Sequence, residues 1–254
     1  MSPWLLAATD VAGVSIDFLQ AQSTGTLFQT LTLYLFFAGT VAMGAGALYF
    51  FLLRDQVAPE YRSTMVVAGL VCAIACFHYW KMTGVYQSGQ GFPTALRYVD
   101  WLFTTPLLLL KFPLLLRLGE RGTKFFWQLV VLDVAMIVTA FIAETAVVDS
   151  QRWWTFFLVS CAFELMIVGI LFFSLGKAID EAPAPLAKAL TTMRLFVLIG
   201  WAIYPIGFLM ARAGAGEYRE VIYNIADVIN KVGFGLVAYH GIEAMSHRGR
   251  SATA

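Results

Sequence analysis

From residue 221 to 239 the chain reads VIYNIADVINKVGFGLVAY, an apolar run that nonetheless carries Asp227 and Lys231. An ionisable side chain at bilayer depth costs about 2.5–3.5 kcal/mol even on the mildest insertion scale, and so asks for a functional reason. The two residues are four apart, which on a helix sets them on one face, one turn from each other. Taken alone, the pair reads equally as a couple that neutralises itself or as part of a site.

The surroundings of that run are those of a membrane protein. Of 254 residues, 59% are hydrophobic and 13% charged, against about 25% charged in soluble domains. A net charge of +1 gives no footprint for nucleic acid. Cys72, Cys76 and Cys161 all lie in apolar runs, so no disulfide framework is expected. The opening residues, MSPWLLAA, are apolar but lack the basic flank of a cleaved leader.

Seven runs reach the roughly 20 residues needed to span a bilayer. They are Leu27–Leu53, Thr64–Tyr86, Thr94–Leu116, Lys124–Val147, Trp153–Gly176, Ala189–Ala211 and Tyr218–Ala244. The expected architecture is an all-α bundle of seven transmembrane helices at 27–245, preceded by an extracellular segment 1–26 and followed by a cytoplasmic tail 246–254. The connections are short, so consecutive helices should be antiparallel neighbours. SGQGFP at 88–93 is a turn or small hairpin, and DEAPAP at 180–185 a Pro-broken loop. Arg54, Arg62, Arg117, Arg121, Lys124, Lys177, Lys188, Arg194, Arg248 and Arg250 flank one side, against Arg152, Arg212, Arg219 and Lys81 on the other. The basic excess places the N-terminus outside and the C-terminus in the cytoplasm.

The third span, ALRYVDWLFTTPLLLLKFP, breaks the tie over the seventh. At 100° per residue, Asp100 to Thr104 turns about 40°, and Asp100 to Lys111 returns to within about 20° of the same line. Arg97, Asp100, Thr104 and Lys111 therefore form one polar stripe facing the bundle interior, with Lys111 about 16 Å beyond Asp100 along the axis. Both Asp100 and Asp227 lie on the same side of a central amine. A lysine desolvated at mid-membrane is also the residue type that forms Schiff bases with carbonyl compounds. In the sixth span, GWAIYPIGF puts Trp201, Tyr204 and Pro205 on one face, and Pro205 should kink the helix. Together with Trp101 these rings could enclose a flat apolar ligand.

RYVDWLFTTPLLLLK, GWAIYPIG and IYNIADVINKVGFGL resemble the third, sixth and seventh helices of microbial rhodopsins, in particular the proteorhodopsin branch of light-driven proton pumps. The likeness runs from the first span to the seventh. It implies that Lys231 binds all-trans retinal as a protonated Schiff base, with Asp100 as counterion and proton acceptor, Asp227 as second counterion and Arg97 as the neighbouring arginine. It matches Trp101, Trp201, Tyr204, Pro205 and Met136 to the retinal pocket, Tyr223 and Asn224 to polar neighbours, and Leu108 to a position where leucine goes with green absorption. His78 matches a histidine that pairs with the acceptor aspartate, and Asp133 a buried structural aspartate. Phe157 stands where carotenoid-binding relatives have glycine, which argues against an antenna pigment. The family's usual carboxylic donor is replaced by Lys111, giving an Asp-Thr-Lys triplet found in a minority of pumps. Lys111 is then expected to take a proton from the cytoplasm after light opens that half-channel, the alternative being a lysine that snorkels to the interface.

The resemblance implies an outward proton pump in a bacterial inner membrane, assembled as a pentamer or hexamer. It implies no enzymatic turnover, metal or nucleic-acid partner. A sensory photoreceptor with a slow cycle is the second reading. Glu164, mid-way through the fifth span, has no family role and is open to a neighbouring protomer or an internal partner. Glu144, Glu217 and Glu220 are expected at the outer rim.

Overall fold

A computed structural model describes the backbone of residues 27–251. The expected segment 1–26 and the side chains of the tail 246–254 lie outside the described residues. Among these residues all regular structure is helical, and seven spans are long and apolar enough to cross a bilayer. They are Leu27–Gln56, Pro59–Gln87, Thr94–Leu116, Gly119–Glu144, Gln151–Ser174, Ala184–Arg212 and Gly216–Met245. Helices satisfy every backbone donor internally, which the hydrocarbon core requires. The third span has the bounds the sequence predicts. The fourth starts earlier, at Gly119, because polar GERGT winds into helix before the apolar stretch begins.

Connections obey local chemistry. Ser150 caps the fifth span, its hydroxyl accepting from the Trp153 N–H at 3.2 Å. Pro185 lies in the first turn of the helix that opens the sixth span, where its missing donor costs nothing. The 88–93 segment forms a turn without strands, so the hairpin is not formed; Gly89 and Gly91 there take φ of 73° and 85°, a region open to glycine.

Consecutive spans pack side by side, and the seventh closes the ring against the first and also touches the second. The third span is the most enclosed, followed equally by the second and the seventh, and the fourth and fifth are the most exposed on the outside of the bundle. The core is one large apolar cluster running from Phe50 and Met65 through Leu108 and Leu190 to Phe234, with two smaller clusters around Trp153 and around Phe36. Three π-helical turns interrupt the regular ladder, at Ile170–Ser174, Phe196–Gly200 and Ile229–Gly233. The last contains Asn230 and Lys231. The expected break at Pro205 is preceded by the turn at Phe196–Gly200, beyond which the helix continues from Trp201 to Arg212.

The first and second spans approach closely at Gly39, where a Cβ would stand 2.5 Å from the Tyr79 ring. Gly39→Ala should therefore displace that ring and lower stability by about 1–3 kcal/mol. Gly84→Ala, with nothing within 4 Å of its Cβ, should not; thermal unfolding of the two variants in one detergent compares them.

Candidate functional site

The four members of the third-span stripe are all buried, as their spacing predicts: Arg97, Asp100, Thr104 and Lys111. Asp227 and Lys231 are buried opposite them. The two spans meet at Lys231, whose Nζ donates to Asp100 Oδ2 at 2.6 Å and lies 3.1 Å from Asp227 Oδ2. The π turn does not break the expected contact between Asp227 and Lys231. One ammonium thus stands between two carboxylates, and breaking such a buried set by removing one partner is strongly destabilising.

The two carboxylates differ in their company. Asp227 accepts from Tyr79 Oη at 2.9 Å, Tyr204 Oη at 2.6 Å and Trp101 Nε1 at 3.2 Å, and Arg97 Nη1 stands 3.9 Å away. Hydrogen bonds from neutral donors favour the charged form of a carboxylate. Among the described residues Asp100 accepts only from Lys231, and its Oδ1 has no hydrogen-bond partner. His78 Nδ1 lies 3.6 Å from that oxygen, while the same nitrogen sits 2.9 Å from the Ile74 carbonyl. His78 is thus a neighbour of Asp100 held by its own helix, and its donated bond goes to Ile74. Thr104 donates to the Asp100 backbone carbonyl at 2.9 Å and does not touch the carboxylate.

Beyond Asp227 the charges alternate. Arg97 donates to Glu220 at 2.7 Å and to Asn224 at 3.0 Å. Glu220 also accepts from Arg219 at 3.1 Å, and Arg219 donates to Glu144 at 2.8 Å. Glu220, expected at the rim, is only 2% exposed; Glu144 is the partly exposed end of the chain. The spacing 220, 224, 227, 231 on one helix face accounts for this burial. Tyr79 and Arg219 carry no comparable signal, since a tyrosine beside His78 and an arginine near a loop are ordinary.

On the other side of Lys231, Lys111 is fully buried. Its Nζ has no hydrogen-bond partner and lies 5.0 Å from the Phe234 ring. The amine is enclosed by protein and is not exposed on the outside of the bundle.

An elongated cavity opens from Lys231 toward the fifth span and takes in Trp101, Leu108, Met136, Trp201, Tyr204, Pro205 and Tyr223 as the sequence predicts. It holds about 750 Å³ free of protein atoms, a figure that includes the solvent space at its open side. Asn230, Ser160, Cys161 and Glu164 also line it and were not assigned to it. Trp101 meets Tyr204 edge-on at 4.7 Å. At the end near the fifth span Phe157 stacks on Phe208 at 4.9 Å, and Trp153 on Phe208 at 4.7 Å, closing the wall at the position where glycine would leave a gap. The lining is mostly apolar and aromatic, with the Lys231 amine on its wall, a chemistry suited to an apolar carbonyl compound.

Asp133 stands behind the cavity. Thr105 donates to its Oδ2 at 2.7 Å and touches the Trp101 carbonyl at 2.7 Å. This links the third and fourth spans beside a cavity-lining tryptophan.

The chain is similar to known proteins over most of its length. The chain belongs to the bacteriorhodopsin-like protein family, which it matches over residues 30–245. It is 33% identical over 211 residues to the green-light absorbing proteorhodopsin of Gamma-proteobacterium EBAC31A08, covering 81% of this chain and 84% of that one. It is 35% identical over 246 residues to bacteriorhodopsin of Halobacterium salinarum, covering 91% and 88%. Among solved structures, Exiguobacterium sibiricum rhodopsin is 46% identical with a TM-score of 0.78, covering 85% of this chain and 97% of that one. Xanthorhodopsin, described as a light-driven ion pump with dual chromophore, is 30% identical with a TM-score of 0.81, covering 87% and 96%.

Thr105→Val should cost about 1–3 kcal/mol by leaving Asp133 buried without its donor, and adding Asp133→Leu should recover much of the loss. Chemical or thermal unfolding of the single and double variants reads this directly.

Proposed function

We propose that the chain is a light-driven outward proton pump carrying all-trans retinal on Lys231 as a protonated Schiff base. The observation that carries this reading is the placement of Lys231 Nζ, 2.6 Å from Asp100 and 3.1 Å from Asp227, at one end of an aromatic cavity. Bound there, retinal supplies light absorption and a light-driven change of shape at the nitrogen.

The side chains do the rest. Asp100 accepts the proton that leaves Lys231 Nζ: it is the nearer carboxylate and has a free oxygen. Asp227 stays a fixed negative charge, held by Tyr79, Tyr204 and Trp101. His78 and Thr104 position Asp100, one beside its carboxylate and one through its backbone. Arg97 stands between Asp227 and Glu220, so a new proton on Asp100 weakens the negative charge on the Lys231 side and leaves the guanidinium held chiefly by its existing bond to Glu220. Glu144, at the far end of that chain, is the exit.

Lys111 refills Lys231. An unpaired buried amine is disfavoured as an ammonium, so Lys111 waits uncharged, takes a proton from the cytoplasm and passes it inward. The basic excess near the Lys111 end supports a cytoplasmic setting for that end, and with it an outward direction and an N-terminus outside. The same resemblance supports a bacterial cell membrane and a ring of five or six copies.

Illuminated cells should acidify their medium, and a protonophore should abolish the signal. Lys231→Ala should be colourless, and Asp100→Asn coloured but unable to pump. Lys111→Ala should keep its first photocycle steps and slow reprotonation of the nitrogen at least tenfold, equivalent to about 1.4 kcal/mol on that barrier. A coloured protein with a slow cycle and no acidification would instead be a photoreceptor.

A further inference from the structure

Glu164 is the ionisable group that this mechanism leaves unused. It lies in the fifth span one turn beyond Ser160 and Cys161, and all three line the cavity that begins at Lys231. The fifth and seventh spans face each other across that cavity, so Glu164 stands at the end remote from the amine. It accepts no hydrogen bond and forms no ion pair among the described residues, although its neighbours find partners: Ser160 donates to the Met136 carbonyl at 3.0 Å, and Asp133 is held by Thr105. A carboxyl group at membrane depth without a partner is costly, and an ordinary lipid-facing or packing position would carry an apolar residue.

We propose that Glu164 is a colour-determining residue: the charge on its carboxyl sets the absorption of the pigment formed at Lys231. The proposal rests on the retinal reading above. When a protonated polyene imine absorbs light, positive charge moves from the nitrogen toward the ring. A negative charge at the nitrogen end therefore favours the ground state, and one at the ring end favours the excited state. In a low-dielectric cavity such charges act strongly. Asp100 and Glu164 occupy opposite ends, so gaining negative charge at Asp100 shifts absorption to the blue, and gaining it at Glu164 shifts it to the red. The ionisable groups that share the cavity or stand directly behind it are Cys161 on the same span, Tyr98 on the third, Asp133 behind Thr105 on the fourth, Tyr204 on the sixth, and Tyr223, Asp227 and Lys231 on the seventh. None of them bonds to Glu164; Cys161, one turn back, feels its charge, and the Glu164→Gln comparison separates the two.

The test removes the Asp100 titration first. Asp100→Asn and Asp100→Asn/Glu164→Gln are reconstituted with all-trans retinal in lipid nanodiscs, and absorption maxima are followed as pH rises. The single variant should shift to longer wavelength, and the double variant should not. Infrared titration of the single variant should show a carboxylic C=O band lost over the same pH range, a readout that needs no second substitution. Coloured proteins with identical titrations, or a colour shift with no carboxyl band, overturn the role of Glu164 alone. A chain that takes up no retinal in any form overturns this proposal together with the function it rests on.

Discussion

The positive charge on Lys231 has to be balanced inside a bilayer, and much of the interior is arranged around that requirement. Taking a charge out of water costs several kcal/mol even after relaxation, and only good geometry with further hydrogen bonds recovers it. Here two carboxylates stand within 3.1 Å of the amine. Two carboxylates on one ammonium leave a net negative charge, and Arg97 beside Asp227 compensates it. Glu220 then balances Arg97, Arg219 balances Glu220 and Glu144 balances Arg219. Each added charge answers the one before it, until the chain reaches a partly exposed carboxylate.

That chain is one-sided. Ion pairs fill the Arg97 end of the bundle, whereas on the other side of Lys231 the lone Lys111 amine sits against an aromatic ring without a hydrogen-bond partner. A proton that moves toward the Arg97 end meets fixed charges that can pass on its effect through hydrogen bonds. A proton coming from the Lys111 end must cross apolar packing around Leu108, Leu109 and Phe112. The first path is preformed and the second has to be opened, which is the asymmetry a one-way pump needs.

Much of this was legible in the sequence because charge in an apolar run is so expensive that each instance is informative. The bounds of the third span and the burial of its stripe followed from composition and a 100° period. The Asp227–Lys231 contact followed from a four-residue spacing. The resemblance supplied Met136, Leu108 and Tyr223, whose apolar or aromatic character is indistinguishable from ordinary core. Glu220 could have been found from the 220, 224, 227, 231 register, but its nearness to a loop suggested the rim. Tyr79, Asn230 and Arg219 were not legible: their roles depend on which neighbour stands opposite, and that is a tertiary fact. The π turns carry no composition signal, since each only inserts one residue's worth of slack into a helix.

That slack falls on Lys231 itself. In a regular helix its backbone N–H would bond to the Asp227 carbonyl, coupling the two residues along the ladder. The π turn at Ile229–Gly233 interrupts this ladder at Lys231, and a second at Phe196–Gly200 does the same beside Trp201. The two meet where Asn230 donates to the Gly200 carbonyl at 3.0 Å, and Gly200 has no room for a side chain against Asn230. Asn230 thus ties one irregular turn to the other. Any displacement of the seventh span at Lys231 is transmitted directly to the sixth, on the wall of the cavity, while the ion pairs toward Glu144 stay anchored on regular helix.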